Sequence, residues 1–192
     1  MAKQIKGGNL PEANEAYNKI LAWFFSFPQK ELSLNNISRE LGISKTTANT
    51  ILKKLVKEGF LKKEVLGRTW RVSCNQDHPY FLAKKIPYNL ILIYESGIMD
   101  AIHKILPSPK AVVLFGSYRK GDDVETSDID IAVEVAGNDE PKIVELGRLP
   151  NLGYRKNVVV NLYVFSRNKI DLNMFANIAN GIVLEGFLEV RP

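Results

Sequence analysis

Hydrophobic positions recur at helical spacing over Ala13–Phe27, where Ala16, Ile20, Leu21, Trp23, Phe24 and Phe27 share one side and Pro28 ends the run. The pattern predicts a core helix. A short helix follows over 33–41, with Ser33 as its N-cap and Gly42 as its stop, because glycine takes positive φ without a Cβ clash. Ser44 caps a third helix that runs to Gly59. Its Ala48, Ile51, Leu52, Leu55 and Val56 form an apolar stripe, opposite Lys45, Thr46, Thr47, Asn49, Thr50, Lys53, Lys54 and Lys57. The runs Phe60–Val65 and Arg68–Ser73 then flank Leu66-Gly67, a hairpin signal, with Trp70 and Val72 turned toward the helices.

Further on, Asp77-His78-Pro79 and Ile86-Pro87 read as breaks. A long amphipathic helix is expected over Tyr88–Leu106, stopped by Pro107-Ser108-Pro109. Its expected role is to scaffold a second module or to join two protomers. Ala111–Phe115 reads as a buried strand, followed at once by Gly116-Ser117 and a short polar segment to Gly121. Asp128-Ile129-Asp130 opens an alternating strand that continues to Val135. Asn157–Phe165 predicts another strand, Lys169–Ala179 a helix, and Ile182–Val190 a closing strand. Arg148, Arg155 and Lys156 fall in a polar connection around Pro150-Asn151-Leu152-Gly153, where they could meet an acidic substrate.

Composition narrows the class. The 192 residues are 45% hydrophobic and 24% charged, with 13 glycines and 9 prolines, values of a soluble globular protein rather than a fibrous or disordered one. No apolar stretch approaches the roughly 20 residues that span a bilayer, and the N-terminal residues lack a secretory pattern, so no membrane partner and a cytoplasmic location are expected. The single cysteine, Cys74, excludes an internal disulfide and a multi-cysteine metal cluster. Charge separates the halves: residues 1–80 carry a net +6 and residues 81–192 a net −1. Two modules with different partners are implied.

The front module, residues 12–74, resembles a winged helix-turn-helix domain, and NISRELGISKTTANTILKKLVKEGFLKK carries the likeness. Such a domain places its second helix in the major groove of double-stranded DNA. Lys45, Thr46, Thr47, Asn49, Thr50, Lys53, Lys54 and the wing residue Arg68 are the candidate DNA contacts, with the threonines and Asn49 near base edges and the lysines on phosphates.

The chemistry concentrates in AVVLFGSYRKGDDVETSDIDIAVEV, residues 111–135. Side chains at i and i+2 of a strand share a face about 6.6 Å apart. Asp128 and Asp130 can therefore converge on Mg²⁺, a hard cation that favours carboxylate and phosphate oxygens. Gly116 leaves room for phosphates against the backbone, and Ser117 offers a hydroxyl and an amide beside it. Gly-Ser, ten residues and then Asp-x-Asp resembles the minimal nucleotidyltransferases of the DNA polymerase β-like superfamily, over roughly residues 108–190. The resemblance implies an α+β chain: the winged helix, a connecting segment over 75–107, and a transferase domain over 108–192 whose mixed sheet is flanked by helices. It implies transfer of an NMP group from an NTP, ATP first among them, to an acceptor hydroxyl. Asp128 and Asp130 would be catalytic and hold Mg²⁺, while Gly116 and Ser117 would bind the nucleotide. Acceptors in such prokaryotic systems include a tyrosine on a small partner toxin, so a protein acceptor and a homodimer are both compatible partners.

The sequence departs from that pattern once. The third carboxylate of the superfamily, from a later strand, is replaced by Asn161 in NVVVNLYVF. An amide oxygen can approach a cation but cannot take a proton near neutral pH. Glu134 lies on the face of Asp130 but about 13 Å along it. Two readings stay open: a working transferase, or a DNA-binding regulator with a degenerate transferase-like domain that only binds nucleotide or dimerises.

Overall fold

The computed structural model of the chain describes residues 14–67 and 69–190. Local chemistry starts each N-terminal element. Asn14 caps α1 (Glu15–Ser26) by accepting from the Tyr17 amide at 3.0 Å. Ser33 and Ser44 cap α2 (Leu34–Leu41) and α3 (Lys45–Lys57) in the same way, and Gly42 ends α2 at φ 62°. β2 (Leu61–Leu66) and β3 (Thr69–Cys74) form the expected hairpin. A strand absent from the sequence reading joins it: β1 (Glu31–Ser33) pairs antiparallel with Arg71–Ser73, giving the order β1-β3-β2. Three residues are too few for a period-two pattern, so only the pairing reveals them. Phe24, Ile37, Leu52, Leu55, Leu61 and Val72 form the core these elements share.

The connecting segment corrects the expectation of one long helix over Tyr88–Leu106. The helix α4 (Phe81–Glu95) starts earlier and runs through Pro87, and α5 (Ile98–Ile105) is separate. Gly97, at φ 80°, turns the chain between them. Proline in a helix interior costs about 3 kcal/mol. Packing on both sides outweighs it here, because α4 gives Phe81 and Tyr88 to the first core and Ile93 to a second.

The second body is a five-stranded sheet in the order β6-β7-β5-β4-β8. Its strands are β4 (Ala111–Phe115), β5 (Ile129–Val135), β6 (Lys142–Leu152), β7 (Arg155–Ser166) and β8 (Ile182–Gly186). β5 and β7 pair in parallel and the other neighbours antiparallel, so the sheet is mixed. One face packs Val112, Leu114, Ile129 and Ile131 against Ile93, Ile98 and Ile102 of α4 and α5. The other packs Val113, Ala132 and Phe165 against Ile178 of α7 (Leu172–Ala179). The loop expected around 150–153 is the end of a long hairpin whose first strand, β6, was not anticipated. Its exposed, charge-interrupted residues hide the alternation of an edge strand. The last two elements also begin or end short of expectation: Asp171 caps α7, and β8 stops at Gly186.

Candidate functional site

Gly116 follows β4 directly, at φ 71° and the head of the short helix α6 (Gly116–Lys120). Phe115, just before it, pairs with Asp130 on the neighbouring strand. That pairing aims the Asp130 carboxylate at the turn: a Cβ on residue 116 would lie 2.5 Å from Asp130 Oδ2. Glycine is required there on two counts, backbone angle and space. Ser117 sits half-buried in the first turn of α6.

Asp128 stands immediately before β5 and is exposed, while Asp130 is half-buried on the strand. Asn161 is the partner of Asp130 across the parallel ladder. Its Nδ2 donates to Asp128 Oδ2 and to Asp130 Oδ1, each at 3.4 Å. One amide thus spans both carboxylates. Burial raises the Asp130 pKa above the usual carboxylate value, Asn161 pulls it down, and the charge of Asp128 raises it again. Two converging carboxylates that repel each other suit a divalent cation. The donor chemistry fits Mg²⁺, with the amide of Asn161 able to turn its oxygen inward. Among the described residues no group of three His, Cys, Asp or Glu side chains gathers in this way. Glu134, further along β5, is taken up by Arg167 at 2.8 Å.

Two adjoining cavities open at this point and share Phe115 and Met174. One, of about 210 Å³, runs between Asp130, Asn161, Ile143 and Tyr163. The other, of about 340 Å³, is lined by Gly116, Arg119, Lys120, Asn177 and Asn180. The cleft therefore has an acidic floor, one basic side and one apolar side. The aromatic lining from Phe115 and Tyr163 was not singled out in the sequence, where both read as ordinary strand residues.

Arg155 corrects the sequence reading. It is buried at the start of β7 and donates to the Tyr118 hydroxyl and to the Ser127 carbonyl. It cannot reach out to a substrate. Arg148 and Lys156 remain exposed on the β6–β7 hairpin.

On the N-terminal body the candidate DNA contacts lie on α3 but differ in freedom. Lys45, Thr46, Thr47, Thr50 and Lys53 are exposed and Asn49 is half-buried. The Thr47 hydroxyl meets that of Ser44 at 2.8 Å, and the Thr50 hydroxyl donates to the Thr46 carbonyl at 3.1 Å. Lys54 leans away toward α1, its ammonium 5.0 Å from the Tyr17 ring centroid. Asn49 and Lys53 border a cleft of about 480 Å³ between α3 and the hairpin, with Lys57, Lys63 and Trp70. Arg68 lies outside the described residues.

The three-helix body with its hairpin is a winged helix, and the second body is a mixed sheet with an acidic pair beside a Gly-Ser turn. Residues 30–62 match the family model of winged helix-turn-helix DNA-binding domains, and residues 96–171 match that of the nucleotidyltransferase domain. The chain is a winged helix-turn-helix domain fused to a nucleotidyltransferase domain. No curated protein matches the sequence. No helix among the described residues is long and apolar enough to cross a membrane.

Proposed function

We propose that the chain is a Mg²⁺-dependent nucleotidyltransferase that moves an NMP group from an NTP, ATP first among them, to an acceptor hydroxyl, and that its winged helix binds double-stranded DNA. The observation that carries this reading is the shared reach of Asp128 and Asp130 to one amide, Asn161, beside the Gly116–Ser117 turn. Bound there, Mg²⁺ would neutralise triphosphate charge and favour in-line attack at the α-phosphorus. Asp128 and Asp130 would hold the cation, and Gly116, lacking a Cβ, leaves room for the Asp130 carboxylate beside the turn. Arg119 and Lys120 supply positive charge on the same side of the cleft. Exposed Lys45 and Lys53 on α3 meet DNA phosphates, and Thr46 and Asn49 face the bases. Incubation with labelled NTPs, Mg²⁺ and acceptor candidates tests the catalytic half. Transfer that Asp128→Ala abolishes is expected; an equal rate in that variant refutes the assignment.

A second reading rests on Asn161. With an amide where the superfamily places its third carboxylate, no group at this position can take the acceptor proton. The domain then binds nucleotide without turning it over, and the winged helix acts as a regulator. Nucleotide binding without product, converted to turnover by Asn161→Asp, selects this reading.

A further inference from the structure

Beneath the acidic pair lies a group of charged side chains that the proposed chemistry does not use. Lys85 is 1% exposed, Asp123 3% and Arg155 5%. Lys85 Nζ lies 3.1 Å from Asp123 Oδ1 and also donates to the Asp123 carbonyl. Asn89, one turn along α4, donates to the same Oδ1 at 2.7 Å and to the Tyr118 carbonyl at 3.0 Å. Arg155 donates to the Tyr118 hydroxyl and the Ser127 carbonyl, with Asp123 Oδ2 3.9 Å from its Nη1. Its Nε finds no acceptor among the described residues.

Stability alone does not account for this arrangement. Two cations and one anion are buried together, at a desolvation cost of several kcal/mol per ion. Apolar side chains of similar volume commonly serve a core as well or better. What the charges do is set positions. Ser127 directly precedes Asp128, and Tyr118 directly follows Ser117. Arg155 itself opens the strand that presents Asn161. A single guanidinium thus links all three arms of the candidate site: the Gly-Ser turn, the acidic pair and the strand opposite. Only arginine has a rigid planar fork able to hold two oxygens in fixed directions; a lysine has one mobile ammonium.

The anchor of this group is α4, which lies between the two family-matched segments. Its Lys85 and Asn89 hold the segment 118–123 from below. Its Tyr88 packs on Phe25, with ring centroids 5.7 Å apart, and its hydroxyl meets that of Ser26 at 3.1 Å. Phe81 stacks edge-on against the same Phe25 at 5.6 Å. Lys30 reaches Glu125 at 3.5 Å, a second bridge from the winged helix to the same loop. The loop that carries Asp128 is therefore tied to the winged-helix body through α4 and through Lys30.

We propose that Arg155 is the positioning residue of the nucleotide site. The proposal deepens the transferase reading and rests on it for the identity of the ligand. The test compares full-length wild type with Arg155→Lys, which keeps the charge and loses the fork, and with Tyr118→Phe, which removes one acceptor only. Amide hydrogen exchange is measured peptide by peptide, and affinity for a non-hydrolysable ATP analogue with Mg²⁺ is measured well below the melting temperature. In Arg155→Lys, exchange over 116–128 should quicken and nucleotide affinity fall, each by about tenfold or more, the scale of a lost charge-assisted hydrogen bond. Exchange over α3 and affinity for DNA should stay at wild-type values. Tyr118→Phe should loosen 116–120 alone. Wild-type exchange over 116–128 in Arg155→Lys overturns the proposal, as does faster exchange with unchanged nucleotide affinity. A wild-type protein that binds no nucleotide removes the transferase reading instead, and the exchange comparison still decides whether Arg155 holds the loop.

Discussion

Asn161 faces Asp130 across the parallel β5–β7 ladder, and its amide nitrogen donates to the Asp130 carboxylate at 3.4 Å. The amide neutralises nothing, so it quiets the two carboxylates without replacing a cation. Asn161→Asp puts a third charge at the same point. Without divalent cations the variant should melt below wild type, because like charges then meet at short range. With Mg²⁺ it should gain more than wild type does, since a ligand bound only by the folded state stabilises by RT ln(1 + [L]/Kd). Paired melting curves in Mg²⁺ and in chelator decide it. Equal Mg²⁺ shifts in the two proteins would show that residue 161 does not face the cation.

Asp130 itself holds a charge at some cost. Burial, and then Asp128, raise its pKa above the unfolded value. A group raised in this way binds its proton more tightly when folded, so its stabilising share is present in acid and is lost as pH rises through the folded value. Asp130→Asn, nearly the same shape, should therefore melt above wild type near neutral pH in chelator, with the gap closing in acid. Cation binding should be lost at the same time. A variant that melts lower at neutral pH would mean that the carboxylate is held by partners stronger than Asn161.

Much of this was legible because it is local. Ser33 and Ser44 announce helix starts, Gly42 a stop, and Gly116-Ser117 with Asp128 and Asp130 a candidate site, through residue types at short spacing. Asn161 was singled out by the resemblance, as the position where a third carboxylate is expected, and the parallel ladder is what sets it opposite Asp130. The parts that stayed hidden are long-range. Lys85 and Asp123 are 38 positions apart, and Tyr118 and Arg155 are 37 apart. A buried arginine and an exposed one look alike in a sequence, so Arg155 read as a loop cation. Pro87 misled in the opposite direction: it marks a helix end by local rules, yet packing against two cores carries α4 through it.

Gly116 is constrained from two sides, and the constraint is measurable. Gly116→Ala places a Cβ 2.5 Å from Asp130 Oδ2 at a φ of 71°. The methyl must either tilt α6 or push the carboxylate away from Asn161. Strain of this kind costs of order 1–3 kcal/mol. The variant should melt lower by about 3–8 °C and bind Mg²⁺ and nucleotide more weakly than the stability loss explains. Gly42→Ala serves as the control: it shares the positive φ but has open space around its Cβ, so it should lose stability without touching the site. If both variants bind nucleotide equally well, the Asp130 contact does not shape the site.

Burial pushes the Cys74 thiol up to about 12. The unfolded thiol ionises at about 8.5. Between these values the unfolded chain sheds a proton that the folded chain keeps, so stability falls as pH rises, by about 1.4 kcal/mol per pH unit. Denaturant titrations across that range should show a shallower alkaline loss in Cys74→Ala than in wild type, whatever the cavity costs at neutral pH. The thiol should also resist alkylation at mildly alkaline pH until the winged helix unfolds. Identical alkaline slopes in the two proteins would place Cys74 in contact with water.

The lysines of α3 are adjacent in sequence and differ in setting, which separates DNA contact from packing. Lys53 opens on the cleft between α3 and the wing, whereas Lys54 lies over the Tyr17 ring at 5.0 Å. Lys53→Ala should weaken DNA binding across all sequences and lower the slope of log affinity against log salt by about 1, the signature of one lost phosphate contact. Lys54→Ala should lose a cation–π contact of about 0.5–1 kcal/mol and therefore shift the melting temperature more than the salt slope. Fluorescence anisotropy over a series of salt concentrations, with melting curves on the same samples, reads both quantities. A salt slope that falls equally in the two variants would mean that Lys54 leaves Tyr17 to reach the DNA, and that the recognition surface wraps further toward α1 than its resting side chains suggest.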